Sequence, residues 1–188
     1  MEKMYYKFNS SHYLVTLAAT PDIFEKAIDE GDFSADSFRH IIPKLMLGTY
    51  PDNLTFPVEF TVFDGKKLRN VIEMRSACAF LISTRIKELF EKNGITGWKP
   101  YEVVVKKKNG EIIPGYHGFS VTGRYPGLVP ASGSLVPDFY HPECLGLGIV
   151  CSQRVVDLLR KYKIRDFDIT SRFINEQGEE LRYERVKI

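Results

Sequence analysis

The residues whose types and spacing could hold a transition metal are two histidines and two cysteines. His141 and Cys144 stand close together in His141-Pro142-Glu143-Cys144, which has the two-residue gap of a zinc-binding pair. A second pair would need Cys151 and the distant His117, without the tight spacing of a zinc finger or ribbon. Cys151 lies in an apolar run before a helix, where a small buried thiol is ordinary. We therefore expect no metal and no cofactor. If a metal were bound, His141 and Cys144 are the pair with the most suitable spacing.

Nucleophilic catalysis has two candidates. The segment Gly118-Phe119-Ser120-Val121-Thr122-Gly123 is one residue too long for the Gly-x-Ser-x-Gly elbow, and its alternation favours a strand. Cys144 near His141 or His117 resembles a Cys-His pair, but nothing in the sequence orients the base or supplies an oxyanion hole. The protein is therefore not expected to be an enzyme. The alternative is a small hydrolase or metal-dependent enzyme that uses His117, His141 and Cys144.

Charge and glycine patterns exclude two other classes of ligand. The glycines match neither Gly-x-Gly-x-x-Gly nor a phosphate loop, so no nucleotide is expected. The chain has 26 Lys and Arg against 24 Asp and Glu, and its pI is about 8.3. Lys66-Lys67 and Lys106-Lys107-Lys108 fall at predicted turns, where solvated lysines are usual. No apolar run approaches the roughly 20 residues that span a bilayer. Neither nucleic acid nor membrane is expected as a partner.

A glycine-rich hairpin and the loop that follows it are rich in residues that anchor protein interfaces. Tyrosine and arginine in exposed loops often carry binding energy. The alternative interpretation is that these aromatic side chains fold back on the sheet. The candidate partner-binding residues are Tyr116, His117, Phe119, Arg124, Tyr125, Phe139, Tyr140 and His141.

The elements that must position these residues include a segment that occurs twice, shifted by 69 residues. Residues 80–95 are echoed by 149–164, with Ser83 matching Ser152 and Arg85 matching Arg154. Each copy has three apolar residues typical of a buried strand, a serine suited to cap a helix, and an amphipathic helix before another strand. Duplication, a shared family pattern or convergence on a common helix start could produce the match. The sequence predicts a strand-helix-strand unit used twice.

Local signals predict several other elements. Thr20-Pro21-Asp22 indicates a helix start, with the helix ending near Gly31. The segment 57–63 alternates like a strand and ends at Asp64-Gly65, a hairpin signal, and Lys106 to Glu111 indicates another hairpin. The stretch from Tyr125 to Pro142 is long for a loop and is either functional or a cover.

Composition is that of a globular protein, with 44% apolar and 27% charged residues. We expect one α+β domain, residues 1–188, with a mixed or antiparallel sheet. Its N-terminal part, residues 1–75, precedes two related strand-helix-strand units in 76–188. An odd number of cysteines, and no apolar segment after Met1, favour the cytoplasm.

Two segments with a predicted serine-capped helix run from Ile82 to Trp98 and from Cys151 to Phe167, and Tyr116-His117-Gly118 lies between them. This arrangement resembles bacterial immunity-type proteins of polymorphic or contact-dependent toxin systems. The resemblance covers about the C-terminal 110 residues. It implies a cytoplasmic inhibitor that binds a cognate protein toxin and has no chemistry of its own, and it transfers no catalytic residue. The slightly basic charge argues against an inhibitor that mimics nucleic acid. A mobile-element accessory protein with another partner is a further alternative.

Overall fold

The fold was analysed in a computed structural model of the chain. It describes residues 2–10, 17–23, 41–50, 52, 54–74, 79–130, 134–145 and 148–188. The chain divides into two compact units. Unit 1 comprises Met1–Ser11, Gly94–Trp98 and Val121–Ile188, and unit 2 comprises His12–Asn93 and Lys99–Ser120. Each unit therefore contains residues from the N-terminal part, 1–75, and from the part 76–188.

The described elements follow in chain order. They are β1 (Lys3–Ser10), β2 (Ala18–Pro21), α1 (Ile41–Leu47), β3 (Val58–Asp64), β4 (Val71–Met74), β5 (Phe80–Ser83), α2 (Thr84–Lys92), β6 (Trp98–Tyr101), β7 (Val103–Lys106), β8 (Ile112–Ile113), β9 (Tyr116–Val121), β10 (Arg124–Tyr125), β11 (Phe139–Pro142), β12 (Ile149–Cys151), α3 (Gln153–Lys161), β13 (Phe167–Ile174) and β14 (Glu180–Arg185). A 3-10 turn covers Glu143–Leu145.

Unit 1 is built on a six-stranded sheet in the order β10-β11-β12-β1-β13-β14. Strand β1 is antiparallel to both β12 and β13, while β10 and β11 are parallel. Phe8, fully buried on β1, packs against Phe139 and Phe167 with ring centroids 5.0 and 4.6 Å apart. This aromatic contact joins β1, β11 and β13 in the core of unit 1.

Unit 2 carries an eight-stranded sheet in the order β6-β9-β5-β4-β2-β3-β7-β8. Phe80 on β5 and Phe119 on β9 stack with ring centroids 5.1 Å apart. Ile86 and Phe90 on the inward face of α2 are fully buried, as the amphipathic pattern requires. Both sheets are mixed, so the α+β class with mixed or antiparallel pairing is confirmed.

The local predictions have different outcomes. The hairpin at Lys106 to Glu111 is confirmed, because β7 and β8 pair antiparallel. The prediction of a hairpin at Asp64-Gly65 is wrong, because β3 and β4 do not pair with each other and β2 lies between them in the sheet. Pro21 is the last residue of β2, and the helix begins at Asp22 instead. The remainder of the predicted helix toward Gly31 lies outside the described residues.

The repeated segment folds the same way in both units. Ser83 precedes α2 and accepts a hydrogen bond from Ile86 N, and Ser152 precedes α3 and accepts one from Val155 N. Each serine hydroxyl also donates a hydrogen bond to the residue that precedes the adjacent strand of the sheet. Ser83 donates to Oδ1 of Asn70, before β4, at 3.1 Å, and Ser152 donates to Oδ1 of Asp138, before β11, at 2.7 Å. The backbone N–H of each serine donates to the carbonyl of that same residue at 2.8 Å. The strand-helix-strand unit used twice is confirmed, cap included.

A third strand extends the repeat. In unit 2, β9 lies between β5 and β6, with His117 opposite Ile82. In unit 1, β1 lies between β12 and β13, with Tyr6 opposite Cys151, the residue that matches Ile82. Tyr116-His117-Gly118-Phe119 therefore corresponds to Tyr5-Tyr6-Lys7-Phe8. The sequence repeat thus reflects a repeated arrangement of three strands and a helix.

The turns that follow α2 and α3 have different residues at their left-handed position. After α2 the chain turns at Gly94 with φ 58°, and after α3 it turns at Lys163 with φ 53°. The N–H groups of Lys163 and Ile164 donate to the carbonyls of Arg160 and Leu159, which closes a Schellman motif. Glycine is favoured at such a position because a β-carbon is strained there.

We expect Lys163→Gly to stabilise the protein by about 0.5–1 kcal/mol, since it removes the left-handed strain that Gly94 avoids. Urea denaturation of the variant would show a higher midpoint. The control is Lys161→Gly, inside the last turn of α3, which should lower the midpoint. An unchanged or lower midpoint for Lys163→Gly would contradict the prediction.

Candidate functional site

The three candidate residues in unit 2 contact other residues of the same unit. Tyr116 is buried and its hydroxyl donates to the carbonyl of Arg69, and Phe119 is buried against Phe80. His117 is half-buried, with Nε2 3.1 Å from Oγ1 of Thr84, the first residue of α2. Burial, and then the nearby ammonium of Lys87, lower the pKa of His117, which favours the neutral ring.

The five candidate residues in unit 1 are mostly buried. Phe139, Tyr140 and His141 lie in the interior, and Tyr125 is half-buried, with its ring 5.8 Å from that of Tyr140. Arg124 is exposed, although its guanidinium donates to the carbonyl of Gly123 at 2.8 Å. Among all eight candidates, Arg124, Tyr125 and His117 are therefore the ones with side chains accessible to a partner.

The residues of the enzyme alternative are distributed over both units. His117 belongs to unit 2, whereas His141 and Cys144 belong to unit 1. His141 is buried with Nδ1 3.0 Å from the carbonyl of Gly148, and Cys144 is exposed. Within the described part of the chain, no group of three or more histidine, cysteine or acidic residues could hold a metal ion.

Ser120 and Cys151 have structural surroundings. Ser120 is completely buried and donates its hydroxyl to the carbonyl of Leu45 at the end of α1. Its Oγ also lies 3.0 Å from the hydroxyl of Tyr50. Cys151 is buried on β12, and that burial raises the pKa of its thiol, so the thiol stays protonated. Each of these groups serves the packing of its own unit.

The long loop between β10 and β11 is held at both ends. At its start, Arg124 and Tyr125 pair with His141 and Pro142. At its end, Asp138 is buried and accepts hydrogen bonds from Ser152 Oγ at 2.7 Å and from Arg154 at 3.1 Å. The backbone N–H and the hydroxyl of Thr96 also donate to Asp138, at 3.0 and 3.2 Å. Four donors therefore fix one carboxylate at the end of the loop.

Two glycines allow the chain to approach this end closely. A β-carbon at Gly97 would lie 2.0 Å from the carbonyl oxygen of Phe139, and one at Gly123 would lie 2.1 Å from the same atom. The carbonyl of Gly97 accepts hydrogen bonds from the N–H groups of Thr122 and Gly123. Only a residue without a side chain fits between these backbones.

The loop covers part of one sheet face in unit 1. The hydroxyl of Tyr140 donates to the carbonyl of Leu128 at 2.8 Å, which ties the loop to the sheet. Four loop residues are packed against a buried cluster formed by Tyr5, Tyr140, Val150 and Ile174. They are Tyr125, Leu128, Val129 and Val136.

Beside the loop lies an open groove of about 280 Å³, which we call the loop groove. Leu135, next to the groove-lining Val136, is fully exposed. Met4 on the groove wall is 40% exposed. The residues lining the loop groove are Met4, Tyr5, Tyr6, Pro130, Val136, Pro137, Tyr140, Val150, Cys151, Ser152 and Gln153.

The loop groove has an uncharged wall. Among the described residues that line it, none has an acidic or basic side chain. Burial raises the pKa values of Tyr5, Tyr6 and Tyr140, so their phenols stay neutral and keep their protons. The hydroxyl of Tyr6 donates to Oε1 of Gln153 at the rim. Such a surface fits an apolar or aromatic side chain, with a few hydroxyl and amide groups available for hydrogen bonds.

Sequence reasoning found the loop but missed the strand opposite it. Tyr140 and Tyr125 were among the candidates, whereas Met4, Tyr5 and Tyr6 lie more than a hundred residues earlier in the chain. The Tyr-x-x-Phe pattern that Tyr5 to Phe8 share with Tyr116 to Phe119 was the available signal. This pattern is not related by the constant shift of 69 residues, because β1 precedes α3 in the chain whereas β9 follows α2.

The sequence matches no protein-family model, and a search of curated proteins found no match. Among the described residues, no helix has the length and apolar character needed to cross a membrane.

Proposed function

We propose that this protein is a non-catalytic, stoichiometric binding protein that neutralises a cognate bacterial toxin in the cytoplasm. The observation that carries the proposal is Leu135, a fully exposed leucine that directly precedes Val136 of the loop groove in the chain. An apolar side chain held in water next to an apolar groove gains free energy when a partner covers both. The resemblance of the two serine-capped segments to immunity-type proteins supplies the class of partner.

The fixed ends of the loop support a binding role. The Asp138 contacts and the close packing at Gly97 hold the loop before any partner arrives. A surface that is already ordered loses less conformational entropy on association than a flexible one. Tyr5, Tyr6 and Tyr140 in the groove are of a residue type common at the energetic centres of interfaces.

The groove also restricts the partner. Because the described residues of its wall carry no acidic or basic side chain, they offer nothing that would mimic a nucleic-acid backbone. We propose that the toxin inserts an apolar side chain here and that Leu135 contacts its surface. The mildly basic chain composition agrees with a partner other than a strongly basic nuclease.

We expect Leu135→Asp to weaken the complex with the toxin encoded beside this gene by about 2 kcal/mol, roughly 30-fold in Kd. The measurement is a calorimetric titration of purified proteins, together with rescue of cells that express the toxin. The matched control is Leu181→Asp, another exposed leucine of unit 1, on the edge strand β14.

The control variant should bind like wild type, and both variants should keep the wild-type melting temperature because both leucines are exposed. The proposed function fails if the wild-type protein neither binds the toxin nor rescues the cells. The assignment of the site fails if Leu135→Asp binds as tightly as wild type.

A further inference from the structure

A second exposed apolar groove lies in unit 2, at one end of the eight-stranded sheet. Its volume is about 440 Å³, and its floor includes the buried residues Leu17, Val62 and Ile113. Phe63 and Leu68, which are 36% and 59% exposed, form apolar parts of the wall. Ile112, on the edge strand β8 beside the lining residue Ile113, is 61% exposed. We call this site the lysine groove.

The lysine groove has basic side chains on two sides because of the strand register. β3 and β7 are parallel, with Thr61 opposite Lys106, so the turns after both strands leave the same end of the sheet. The first turn carries Lys66 and Lys67, and the second carries Lys107 and Lys108. Parallel pairing therefore places Lys66, Lys107 and Lys108 in the lining of one groove, with Lys67 next to Lys66 in the chain.

Most of this positive charge is not neutralised within the protein. Lys107 is paired with Glu111 at 2.7 Å. In the described ranges, Lys66, Lys67 and Lys108 make no ion pair, and all three are exposed. Asp64 also lines the groove, and its carboxylate accepts the N–H of Gly65 at 2.7 Å. The ammonium groups of Lys66 and Lys108 in the lining, and of Lys67 beside Lys66, are thus available to an external anion.

We propose that the lysine groove binds a protein segment in which acidic residues flank an apolar side chain. The apolar side chain would occupy the floor, and carboxylates on either side would pair with Lys66, Lys67 and Lys108. This is a different site, in a different unit, from the loop groove, and the proposal does not depend on toxin neutralisation.

The shape and chemistry of the groove favour a protein segment over other anions. A flat bilayer would touch the exposed rim residues but would not reach a concave floor formed by Leu17, Val62 and Ile113. Single-stranded nucleic acid is usually bound by stacked aromatics and arginines, whereas among the described residues of the lining Phe63 is the one aromatic and none is an arginine. An acidic segment with a central apolar residue satisfies both the floor and the lysines.

The test is a calorimetric titration of the full-length protein with the hexapeptide Glu-Asp-Leu-Phe-Glu-Asp, blocked at both ends. We expect saturable binding with a Kd below about 1 mM, weakening as salt is added. Two comparison peptides separate the two contributions. Gln-Asn-Leu-Phe-Gln-Asn lacks the charge, Glu-Asp-Ser-Ser-Glu-Asp lacks the apolar centre, and both should bind at least several-fold more weakly.

Variants locate the binding. Replacing Lys66, Lys67 and Lys108 together by glutamine should weaken binding on the order of tenfold. Leu68→Gln should weaken it through the apolar wall. The matched control replaces three other exposed lysines, Lys92, Lys161 and Lys187, by glutamine and should leave the Kd unchanged.

Three outcomes overturn the proposal. One is the absence of peptide binding by the wild-type protein, and another is equal loss of binding in the control triple variant. The third is sedimentation with phosphatidylserine vesicles without peptide binding, which would assign the lysines to a lipid surface. Normal toxin neutralisation by a peptide-binding-deficient variant would show that the two grooves act separately.

Discussion

Replacing Gly97 with alanine is expected to destabilise the protein by about 3 kcal/mol or more. Two costs add. The residue has φ 81°, where a β-carbon is strained, and that β-carbon would lie 2.0 Å from the carbonyl oxygen of Phe139 and 2.7 Å from Cβ of Pro137. The obstructing atoms belong to backbone and to a proline ring, so they cannot rotate away. Urea denaturation measures the loss.

Gly178→Ala is the matched control for this effect. Gly178 lies in the same unit, its φ is 85°, and no atom lies within 4 Å of the position of a β-carbon. That variant therefore pays the conformational cost alone, about 1–2 kcal/mol. If both glycine variants lose equal stability, the close approach of Phe139 contributes nothing. If Gly97→Ala does not fold, chemical denaturation of Gly123→Ala, with the same carbonyl at 2.1 Å and no positive φ, isolates the collision.

The parts of the fold that could be predicted from the sequence depend on contacts between near neighbours. Ser83 and Ser152 cap their helices as predicted, because a cap involves residues three positions apart. The outcome at the two proposed hairpins shows the limit. Both turns carry local hairpin signals, yet β7 and β8 pair directly, whereas β2 separates β3 from β4. Insertion of a distant strand leaves no mark at the turn.

The candidate site was predictable in part for the same reason. The length and composition of the stretch from Tyr125 to Pro142 predict either a functional loop or a cover, and Tyr140 in this stretch lines the loop groove. The other wall, Met4 to Tyr6, comes from a strand at the opposite end of the sequence. The burial of Phe119 and Phe139 follows from packing against Phe80 and Phe8, which lie far away in the chain, and residue type alone does not determine such contacts.

The second large effect is expected at Asp138. Asp138→Ala should cost about 3 kcal/mol, because four donors lose their acceptor and the backbone N–H of Thr96 is among them. Asp138→Asn keeps the size of the side chain but turns one acceptor into a donor that faces other donors. It should lose an intermediate amount of stability in the same urea titration.

The repeat supplies a control in the other unit. Asn70 holds the position equivalent to Asp138, and its Oδ1 accepts the hydroxyl of Ser83 at 3.1 Å. A hydrogen bond to a neutral acceptor is worth about 1 kcal/mol, so Asn70→Ala should cost clearly less than Asp138→Ala, whose carboxylate accepts four. Equal costs would mean that the cap serine, and not the contacts with Thr96 and Arg154, accounts for the effect of Asp138.

Asp138 also links stability to the proposed binding surface. Its carboxylate fixes the end of the loop that carries Leu135, so Asp138→Ala should loosen the loop before it unfolds the unit. Hydrogen exchange at the amides of Thr96 and Phe139 should become faster in the folded variant, while exchange at Ile86 in unit 2 stays unchanged. A partner that needs the ordered loop would then bind Asp138→Ala more weakly than Asn70→Ala at a temperature where both are folded. Equal affinities would show that binding at the loop groove does not require this clamp.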